Sequence, residues 1–167
     1  MNSQREPIVT SSRLSLRPAE DGDCELLWRW RNEANTRKWA FNSSYVPYPE
    51  HKDWFMDKLS SPDAQILVIL DENKEAIGQA RLDISPDKSA EIDISIEASQ
   101  RNKGYGSAAL KLACQYGRDE FNITRVIAHI KERNKASIAA FTNAGFKNKG
   151  LQDFKGYKAI EMIWSRE

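Results

Sequence analysis

A short basic turn, Arg101-Asn102-Lys103-Gly104-Tyr105-Gly106, carries the residues of this chain that are best suited to bind an anion. An alternating strand pattern precedes the turn and a helical pattern follows it at once, which predicts a helix N-terminus there. The free N–H groups of a helix's first turn and the helix dipole both favour a negative charge. Gly104 and Gly106 lack a Cβ, so an anion can approach the main chain, and Arg101 and Lys103 add positive charge. The turn is typical of a phosphate site, although an ordinary glycine turn shares the pattern.

Two common phosphate-binding motifs fit this turn less well. A P-loop requires Lys-Ser or Lys-Thr directly after its last glycine, whereas Ser-Ala follows Gly106. The bare dinucleotide-binding pattern is present as Gly104-x-Gly106-x-x-Ala109. The first strand of a dinucleotide fold is covered on both faces and usually apolar throughout, whereas residues 91–96 alternate polar side chains with isoleucine. A strand with one wet face argues against that fold.

A second block in the last third of the chain completes the pattern of a known family. A strand, RVIAHI, leads to Asn134 and to a helix that contains Ser137 and ends in FTNAGF. Together with Arg-x-x-Gly-x-Gly, this order resembles the GNAT superfamily of acetyl-coenzyme A-dependent N-acetyltransferases. The opening Arg-Leu-Ser-Leu-Arg-Pro also resembles the first strand of that superfamily. The resemblance extends from about Arg13 to Trp164.

The resemblance implies an α/β (α+β) fold with a mixed, mostly antiparallel central sheet of about six to seven strands and helices on both faces. The fourth and fifth strands, here Glu91–Glu97 and Arg125–Ile130, are expected to splay apart at their C-terminal ends. Periodicity predicts the remaining elements: a helix around Leu26–Trp30, a helix over Glu50–Leu59, a hairpin of Gln65–Leu70 and Ala76–Ile84, a helix over Asn134–Ala144 and a last strand ending at Trp164. Length predicts one domain, residues 1–167, in which residues 1–12 form a loose N-terminal segment.

Acetyl-CoA is the cosubstrate that the resemblance implies. In the family its pantetheine arm enters the notch between the splayed strands and pairs with the main chain of the fourth strand, while its pyrophosphate binds the basic turn. The residues expected to bind it are Ile94, Ser95, Ile96, Arg101, Asn102, Lys103, Gly104, Tyr105, Gly106, Ser107, Asn134 and Ser137. Asn134 is also expected to cap the helix that follows it.

Transfer of an acetyl group from a thioester to an amine requires a neutral amine, a polarised carbonyl and a proton for the departing thiolate. His129, Glu91 and Asp93 are the candidate bases, and a buried, hydrogen-bonded histidine or a solvated strand face are the alternatives. Many relatives carry a Tyr general acid where this chain has Phe141, so that role is vacant or is filled elsewhere, by a water or by the substrate. Cys24 and Cys114 are expected core residues, and with only two His besides, no metal is expected.

The acceptor is indicated by a concentration of aromatic and arginine side chains in the first half of the chain, which suits stacking on a sugar or base. The candidate substrate-binding residues are Trp28, Arg31, Asn32, Trp39, Tyr45 and His51. Trp30 and Trp54 are expected to be core anchors. The arrangement is similar to amino-sugar N-acetyltransferases of nonulosonic-acid and surface-polysaccharide pathways, while the opening Arg-Leu-x-Leu-Arg-Pro is equally similar to ribosomal-protein N-terminal acetyltransferases.

Bulk composition predicts an ordinary globular protein. Apolar residues make up 40% and charged residues 29% of the chain, and the net charge of +1 favours neither nucleic acid nor a membrane as partner. The N-terminus MNSQREPIVTSS has no apolar core typical of a signal peptide. A cytoplasmic monomer or homodimer is therefore expected.

Four hypotheses follow. The first is an acetyltransferase acting on a small amine, foremost a nucleotide-linked amino-deoxysugar, by direct attack in a ternary complex. The second is the same chemistry on a protein or peptide N-terminus. The third is a non-catalytic coenzyme A-binding module, which Phe141 keeps open, and a dinucleotide-binding protein is a distant fourth.

Overall fold

A computed structural model of the chain describes residues 9–10 and 13–166 and arranges them around one mixed sheet. The sheet has eight strands in the order β1-β2-β3-β4-β5-β6-β8-β7. The strands are β1 (Val9–Thr10), β2 (Ser15–Pro18), β3 (Ala64–Leu70), β4 (Ala76–Ile84), β5 (Ser89–Ile96), β6 (Arg125–Lys131), β7 (Lys147–Phe154) and β8 (Tyr157–Ser165). The helices are α1 (Cys24–Arg31), α2 (Ala34–Trp39), α3 (Tyr48–Ser60), α4 (Tyr105–Phe121) and α5 (Lys135–Asn143). The predicted fold class is confirmed, and β1 is a two-residue addition to it.

Three details differ from the predicted elements. Val9–Thr10 pairs with β2, and the rest of the segment 1–12 that was expected to be loose lies outside the described residues. Helix α3 begins directly after Pro47 and carries Pro49 in its first turn, where no main-chain hydrogen bond is lost. Helix α2 was not predicted because it is six residues long and has no apolar stripe.

Successive apolar side chains of β3 point to opposite faces of the sheet, so helices can pack against both faces. Leu67 and Ile69 belong to the core cluster that contains the buried side of α4. Ile66, Val68 and Leu70 belong to a second cluster with α1 and α3. The predicted helices on both faces of the sheet are thus confirmed.

The fork between β5 and β6 is the feature that positions the site. These strands run parallel and pair only at Ser89↔Arg125, Ala90↔Val126 and Glu91↔Ile127. Beyond that point β5 stays paired with β4 and β6 stays paired with β8. Each strand therefore turns one main-chain edge towards the gap, and such polar groups need hydrogen-bond partners. The predicted splay of these two strands is confirmed.

Gly78 lies on β4 opposite Ile96, where the main chains of β4 and β5 approach too closely for a side chain. A Cβ at Gly78 would collide with the Ser95 carbonyl oxygen and lie 3.1 Å from Ile96 Cδ1. We expect Gly78→Ala to lower the free energy of unfolding by about 1–3 kcal/mol, the usual cost of over-packing, because β5 must shift at the fork. Chemical denaturation measures the change.

Gly22→Ala is the matched control, since a Cβ at Gly22 meets no atom within 4 Å. Equal losses of stability in the two variants would contradict this account of the β4–β5 approach.

Candidate active site

A cleft of about 950 Å³ passes through the fork. On one side of the sheet it is lined by α1, α2 and α3, and on the other side by α4 and α5. The part next to α1, α2 and α3 is wide and contains charged and aromatic side chains. The part next to α4 and α5 contains the basic turn. We call these parts the acceptor half and the cofactor half.

The basic turn has the main-chain geometry that the sequence predicts. Gly104 is the residue before α4 and adopts φ = 80°, which is left-handed backbone that favours glycine. Gly106 has no such requirement, because a Cβ there would only touch Ala140 Cβ at 3.8 Å. Ser107 Oγ donates a hydrogen bond to the Ala140 carbonyl at 3.1 Å and so ties α4 to α5. The first-turn N–H groups of α4 are thereby held at the wall of the cleft.

Arg101 lines the cleft, but two of its guanidinium nitrogens are already bound by protein groups. Its Nη2 donates to Glu33 Oε2 at 2.9 Å and to Thr36 Oγ1 at 3.2 Å, and its Nε donates to the Ile96 carbonyl at 3.0 Å. Arg101 therefore connects the basic turn to the start of α2. Its charge is shared with a carboxylate before any ligand binds.

A different arginine stands at the same turn. Arg13 Nη2 donates to the Lys103 carbonyl at 2.9 Å, and its guanidinium lies 5.0 Å from the centroid of the Tyr105 ring. Lys103 itself does not line the cleft, and its Nζ donates to Gln100 Oε1. Sequence reasoning placed Arg13 only in a strand, because the contact spans 90 positions of the chain.

Eleven of the twelve expected cofactor residues line the cleft together, and Lys103 is the exception. They are Ile94, Ser95, Ile96, Arg101, Asn102, Gly104, Tyr105, Gly106, Ser107, Asn134 and Ser137. Asn134 Oδ1 accepts a hydrogen bond from the Ser137 N–H at 3.2 Å, so the predicted helix cap is confirmed.

Two of the three candidate catalytic residues line the cleft, and the third, Glu91, contacts the His129 ring. His129 and Asp93 line the cleft, and Asp93 Oδ2 accepts from Gln79 Nε2 at 3.0 Å. Glu91 Oε1 lies 3.1 Å from His129 Nδ1. The other ring nitrogen of His129 lies 3.3 Å from Glu161 Oε2, a residue that sequence reasoning missed. The only signal for Glu161 is the β6–β8 register, which places it directly opposite His129.

Phe141 occupies an apolar position. Its side chain is buried and its ring packs edge-on against Phe146 at 4.9 Å between centroids. No phenol is therefore available at this position of the cleft wall. Both cysteines are buried as expected, and burial raises the pKa of Cys114 to about 12, so its thiolate is scarce at neutral pH.

The six candidate acceptor residues separate into two groups. Arg31, Trp39 and His51 line the acceptor half. Trp28 Nε1 and Asn32 Nδ2 both donate to the Val46 carbonyl, at 2.8 and 2.9 Å. Their side chains thus hold the segment between α2 and α3 in place, and exposed Tyr45 packs edge-on against Trp28 outside the lining.

Two buried nitrogen atoms in the acceptor half have no partner among the described residues. They are Arg31 Nη1 and His51 Nε2. Burial lowers the pKa of His51, an effect that the nearby Arg31 strengthens and a hydrogen bond with the Cys24 backbone opposes. His51 is therefore neutral near pH 7. The hydrogen bond with the Cys24 backbone uses the other ring nitrogen as the donor, which leaves Nε2 as an acceptor in the half of the cleft that Arg31 also lines.

Arg81 and Trp54 are further lining residues that sequence reasoning did not assign to the site. The Arg81 guanidinium lies 5.0 Å from the Trp54 ring centroid. Burial lowers the pKa of Arg81, but Asp93 and Asp83 raise it by more. The expectation that Trp54 anchors the core is wrong, because His51 and Phe55 take the core-facing positions of α3 and leave Trp54 37% exposed. Trp30 is buried as expected.

The sequence profile of the acetyltransferase (GNAT) domain matches residues 13–147. This chain belongs to the GNAT acetyltransferase family. It is an acetyl-CoA-dependent N-acetyltransferase. The left-handed Gly104 at the start of α4 and the open main-chain edges of the fork suit the phosphates and the amide-containing arm of that cosubstrate.

Relatives within the GNAT family include enzymes for several amines. The chain is 25% identical over 145 residues to spermidine N(1)-acetyltransferase of Escherichia coli K12, which covers 86% of this chain and 77% of the relative. The structure of spermidine N-acetyltransferase from Vibrio cholerae with CoA and spermine superposes with a TM-score of 0.84 at 22% identity, over 93% and 96% of the two chains. Aminoglycoside acetyltransferase AAC(6')-Ib with acetyl-CoA superposes with a TM-score of 0.82 at 18% identity, over 92% and 93%. At these identities, the two structures establish the shared fold.

The described residues lack two further features. Residues 13–166 contain no group of three or more His, Cys, Asp or Glu placed to hold a metal ion. None of the helices in the described part of the chain has the length and apolar character to cross a membrane.

The Arg101–Glu33 link gives a prediction for the stability of this GNAT domain in acid. Burial raises the pKa of Glu33, but hydrogen bonds from Arg101, from the N–H groups of Asn35 and Thr36 and from the Thr36 hydroxyl lower it to about 2 overall. Because the pKa of Glu33 is lower in the folded than in the unfolded state, the ionised carboxylate stabilises the fold at pH values above the ordinary glutamate pKa. This contribution is lost as the pH falls towards 2. We expect Glu33→Gln to lower the free energy of unfolding at pH 7, with a difference from wild type that shrinks between about pH 4.5 and pH 2.

Denaturant unfolding at several pH values measures this difference. Glu72→Gln, at an exposed carboxylate of the β3–β4 turn, is the control. A difference between wild type and Glu33→Gln that does not change with pH would show that the charge of Glu33 is not what stabilises α2.

Proposed function

We propose that this enzyme transfers the acetyl group of acetyl-CoA to the amine of a nucleotide-linked amino-deoxysugar, by direct attack in a ternary complex. The observation that supports this acceptor most strongly is the unpartnered pair Arg31 Nη1 and His51 Nε2 in the acceptor half. The pair consists of one buried donor and one buried acceptor.

A hydroxyl group is the ligand that satisfies such a pair. A hydroxyl oxygen accepts from the arginine while its hydrogen is donated to the neutral imidazole. Leaving buried polar groups unpaired costs about 1–3 kcal/mol each, so a substrate that pairs them gains affinity. Sugars carry hydroxyls next to amines, whereas a linear polyamine carries none.

The charges of the acceptor half favour an acceptor with an anionic group. Arg31 and Arg81 line this half, and Arg81 stacks on Trp54, which together suit a phosphate and a flat ring. The carboxylates in the lining are Glu50 and Asp93, which keeps its charge while it accepts a hydrogen bond from Gln79, and Arg81 is itself paired with Asp83 at 2.9 Å. A polycation such as spermidine would meet the two arginines, which disfavours the polyamine activity of the similar enzymes.

Acetyl-CoA binds in the cofactor half in this proposal. The N–H groups from Gly104 to Ser107 receive the pyrophosphate at the start of α4, and the open edge of Ile94–Ile96 pairs with the pantetheine arm. Asn134 and Ser137 line the opposite wall. The thioester then lies near the closed end of the fork, close to Asp93 and His129.

The acceptor amine attacks the thioester carbonyl, and a main-chain N–H of β5 polarises the carbonyl oxygen. His129 and Asp93, which line the cleft, and Glu91, which contacts His129 Nδ1, are the candidate bases for the single proton that the amine loses. As the C–S bond breaks, the coenzyme A thiolate leaves and takes a proton from water, since Phe141 has none to give. One amine proton is lost and one thiol proton is gained, so the reaction balances.

The experiment that tests this proposal is a thiol-release assay with acetyl-CoA and a panel of amines. The panel contains a nucleotide-linked 4-amino-4,6-dideoxysugar, the same sugar without nucleotide, spermidine, an aminoglycoside and a peptide with a free N-terminus. We expect kcat/KM to be highest for the nucleotide-linked sugar. Higher kcat/KM for spermidine or for the peptide would overturn the acceptor assignment, and binding without any turnover would favour a coenzyme A-binding module.

Substitutions at the unpartnered pair test the role of the sugar hydroxyl. We expect His51→Phe to lower kcat/KM by about 10- to 100-fold, equivalent to 1–3 kcal/mol, with unchanged affinity for acetyl-CoA. Lys52→Gln, on the exposed side of α3, is the control and should keep full activity. Equal activity of His51→Phe and wild type on the sugar would contradict this role of His51.

A further inference from the structure

The basic turn before α4 contains two residues with left-handed backbone. Asn102 has φ = 62° and Gly104 has φ = 80°. This backbone is unfavourable for residues other than glycine, although asparagine adopts it more readily than most. Successive N–H groups in such a turn form a concavity that binds anions. A turn of this kind keeps one conformation only when the surrounding structure holds it.

Arg13 contacts the three residues at the centre of this turn. Its Nη2 donates a hydrogen bond to the Lys103 carbonyl at 2.9 Å. Its Nη1 lies 3.7 Å from the position that a Cβ at Gly104 would occupy. The carbon of its guanidinium lies 5.0 Å from the centroid of the Tyr105 ring. One side chain from the first part of the chain therefore holds Gly104 through both of its neighbours.

The main chain on either side of Arg13 is fixed by the fold. Leu14 is buried and belongs to the core cluster that contains the buried side of α4. Strand β2 begins at the next residue and pairs with β3. The basic side chains of the turn itself, Arg101 and Lys103, make their hydrogen bonds elsewhere. Arg13 is thus the arginine that the fold places against the main chain of the turn.

The hydrogen bond to the Lys103 carbonyl determines where the next N–H group points. The peptide bond between Lys103 and Gly104 is trans, and the C=O and N–H of a planar trans peptide point in opposite directions. Because the carbonyl faces Arg13, the Gly104 N–H faces away from it. No group among the described residues accepts a hydrogen bond from this N–H, and Gly104 lines the cleft whereas Lys103 does not. The Gly104 N–H can therefore donate to a ligand in the cofactor half.

We propose that Arg13 is a positioning residue for acetyl-CoA, because it fixes the peptide between Lys103 and Gly104 with the Gly104 N–H directed at the pyrophosphate. The guanidinium is charged at neutral pH, and a cation at the carbonyl polarises the peptide, which makes its N–H a stronger donor. This role rests on the placement of acetyl-CoA proposed above and does not depend on the identity of the acceptor.

Binding measurements with coenzyme A and with pantetheine, which carries no phosphate, test this role without an acceptor. We expect Arg13→Gln to raise the Kd of coenzyme A about 10-fold, the effect of losing one hydrogen bond to a charged group. The Kd of pantetheine should stay the same, because pantetheine does not reach the turn with a phosphate. Arg13→Lys keeps the charge and a donor, so it should restore part of the affinity for coenzyme A.

The Gly104 amide signal in nitrogen-15 NMR spectra separates the role of Arg13 from the placement of the cofactor. Coenzyme A should shift this signal in the wild-type protein and shift it less in Arg13→Gln. A wild-type signal that saturating coenzyme A leaves unchanged would contradict the placement of the pyrophosphate, and the role of Arg13 with it. Equal shifts and equal affinity for coenzyme A in the two proteins would overturn the role of Arg13 alone.

Arg29→Gln is the matched control, since Arg29 is an exposed arginine of α1 outside the lining of the cleft. It removes the same charge and should bind coenzyme A as the wild-type protein does. Equally weak binding of coenzyme A in Arg29→Gln would show that only the net charge matters. Weaker binding of pantetheine in Arg13→Gln would show that the substitution disturbs the fold, and either result would overturn the proposal.

Discussion

The early end of the β5–β6 ladder is the constraint on which the rest of this site depends. Three paired positions hold the strands together, and then β6 follows β8 while β5 follows β4. The main-chain edges left open at the gap can pair with a ligand that has amides of its own. The same divergence lets one cleft reach both faces of the sheet, so that the basic turn on one side and the acceptor half on the other meet at a single point.

Polar side-chain contacts connect these two sides to the fork. Arg101 belongs to the basic turn but binds Glu33, which caps α2 and so supports the acceptor half. At the closed end of the fork, His129 joins β5 to β8 through Glu91 and Glu161, and its stacking on Phe154 continues to Phe41 beyond α2. The part of the cleft on the α1–α3 side of the sheet is built from these helices and from side chains whose partners are distant in sequence.

Much of the fold and of the cofactor half could be predicted from the sequence, because both depend on local patterns. The alternation of residues 91–96, the glycine at a left-handed position and the apolar stripe of α4 are each readable within a few residues. The acceptor half was predicted less well. Arg101 binds Glu33, which is 68 positions away in the sequence. Glu161 lies next to His129 only because of the register between β6 and β8. Trp54 is exposed because His51 and Phe55 occupy the core-facing positions of α3. Such contacts depend on packing between distant segments, which periodicity does not report.

The most direct test of the account is the response of the main-chain amides of β5 to coenzyme A, followed by NMR and by hydrogen exchange. If the fork receives the pantetheine arm, the amide signals of Ile94 to Ile96 shift and their exchange with solvent slows, while the amides of Ser89 to Glu91, which precede the fork, change little. Saturating coenzyme A that leaves Ile94 to Ile96 unchanged, or that protects another strand edge instead, would contradict the claim that the fork is the cofactor site.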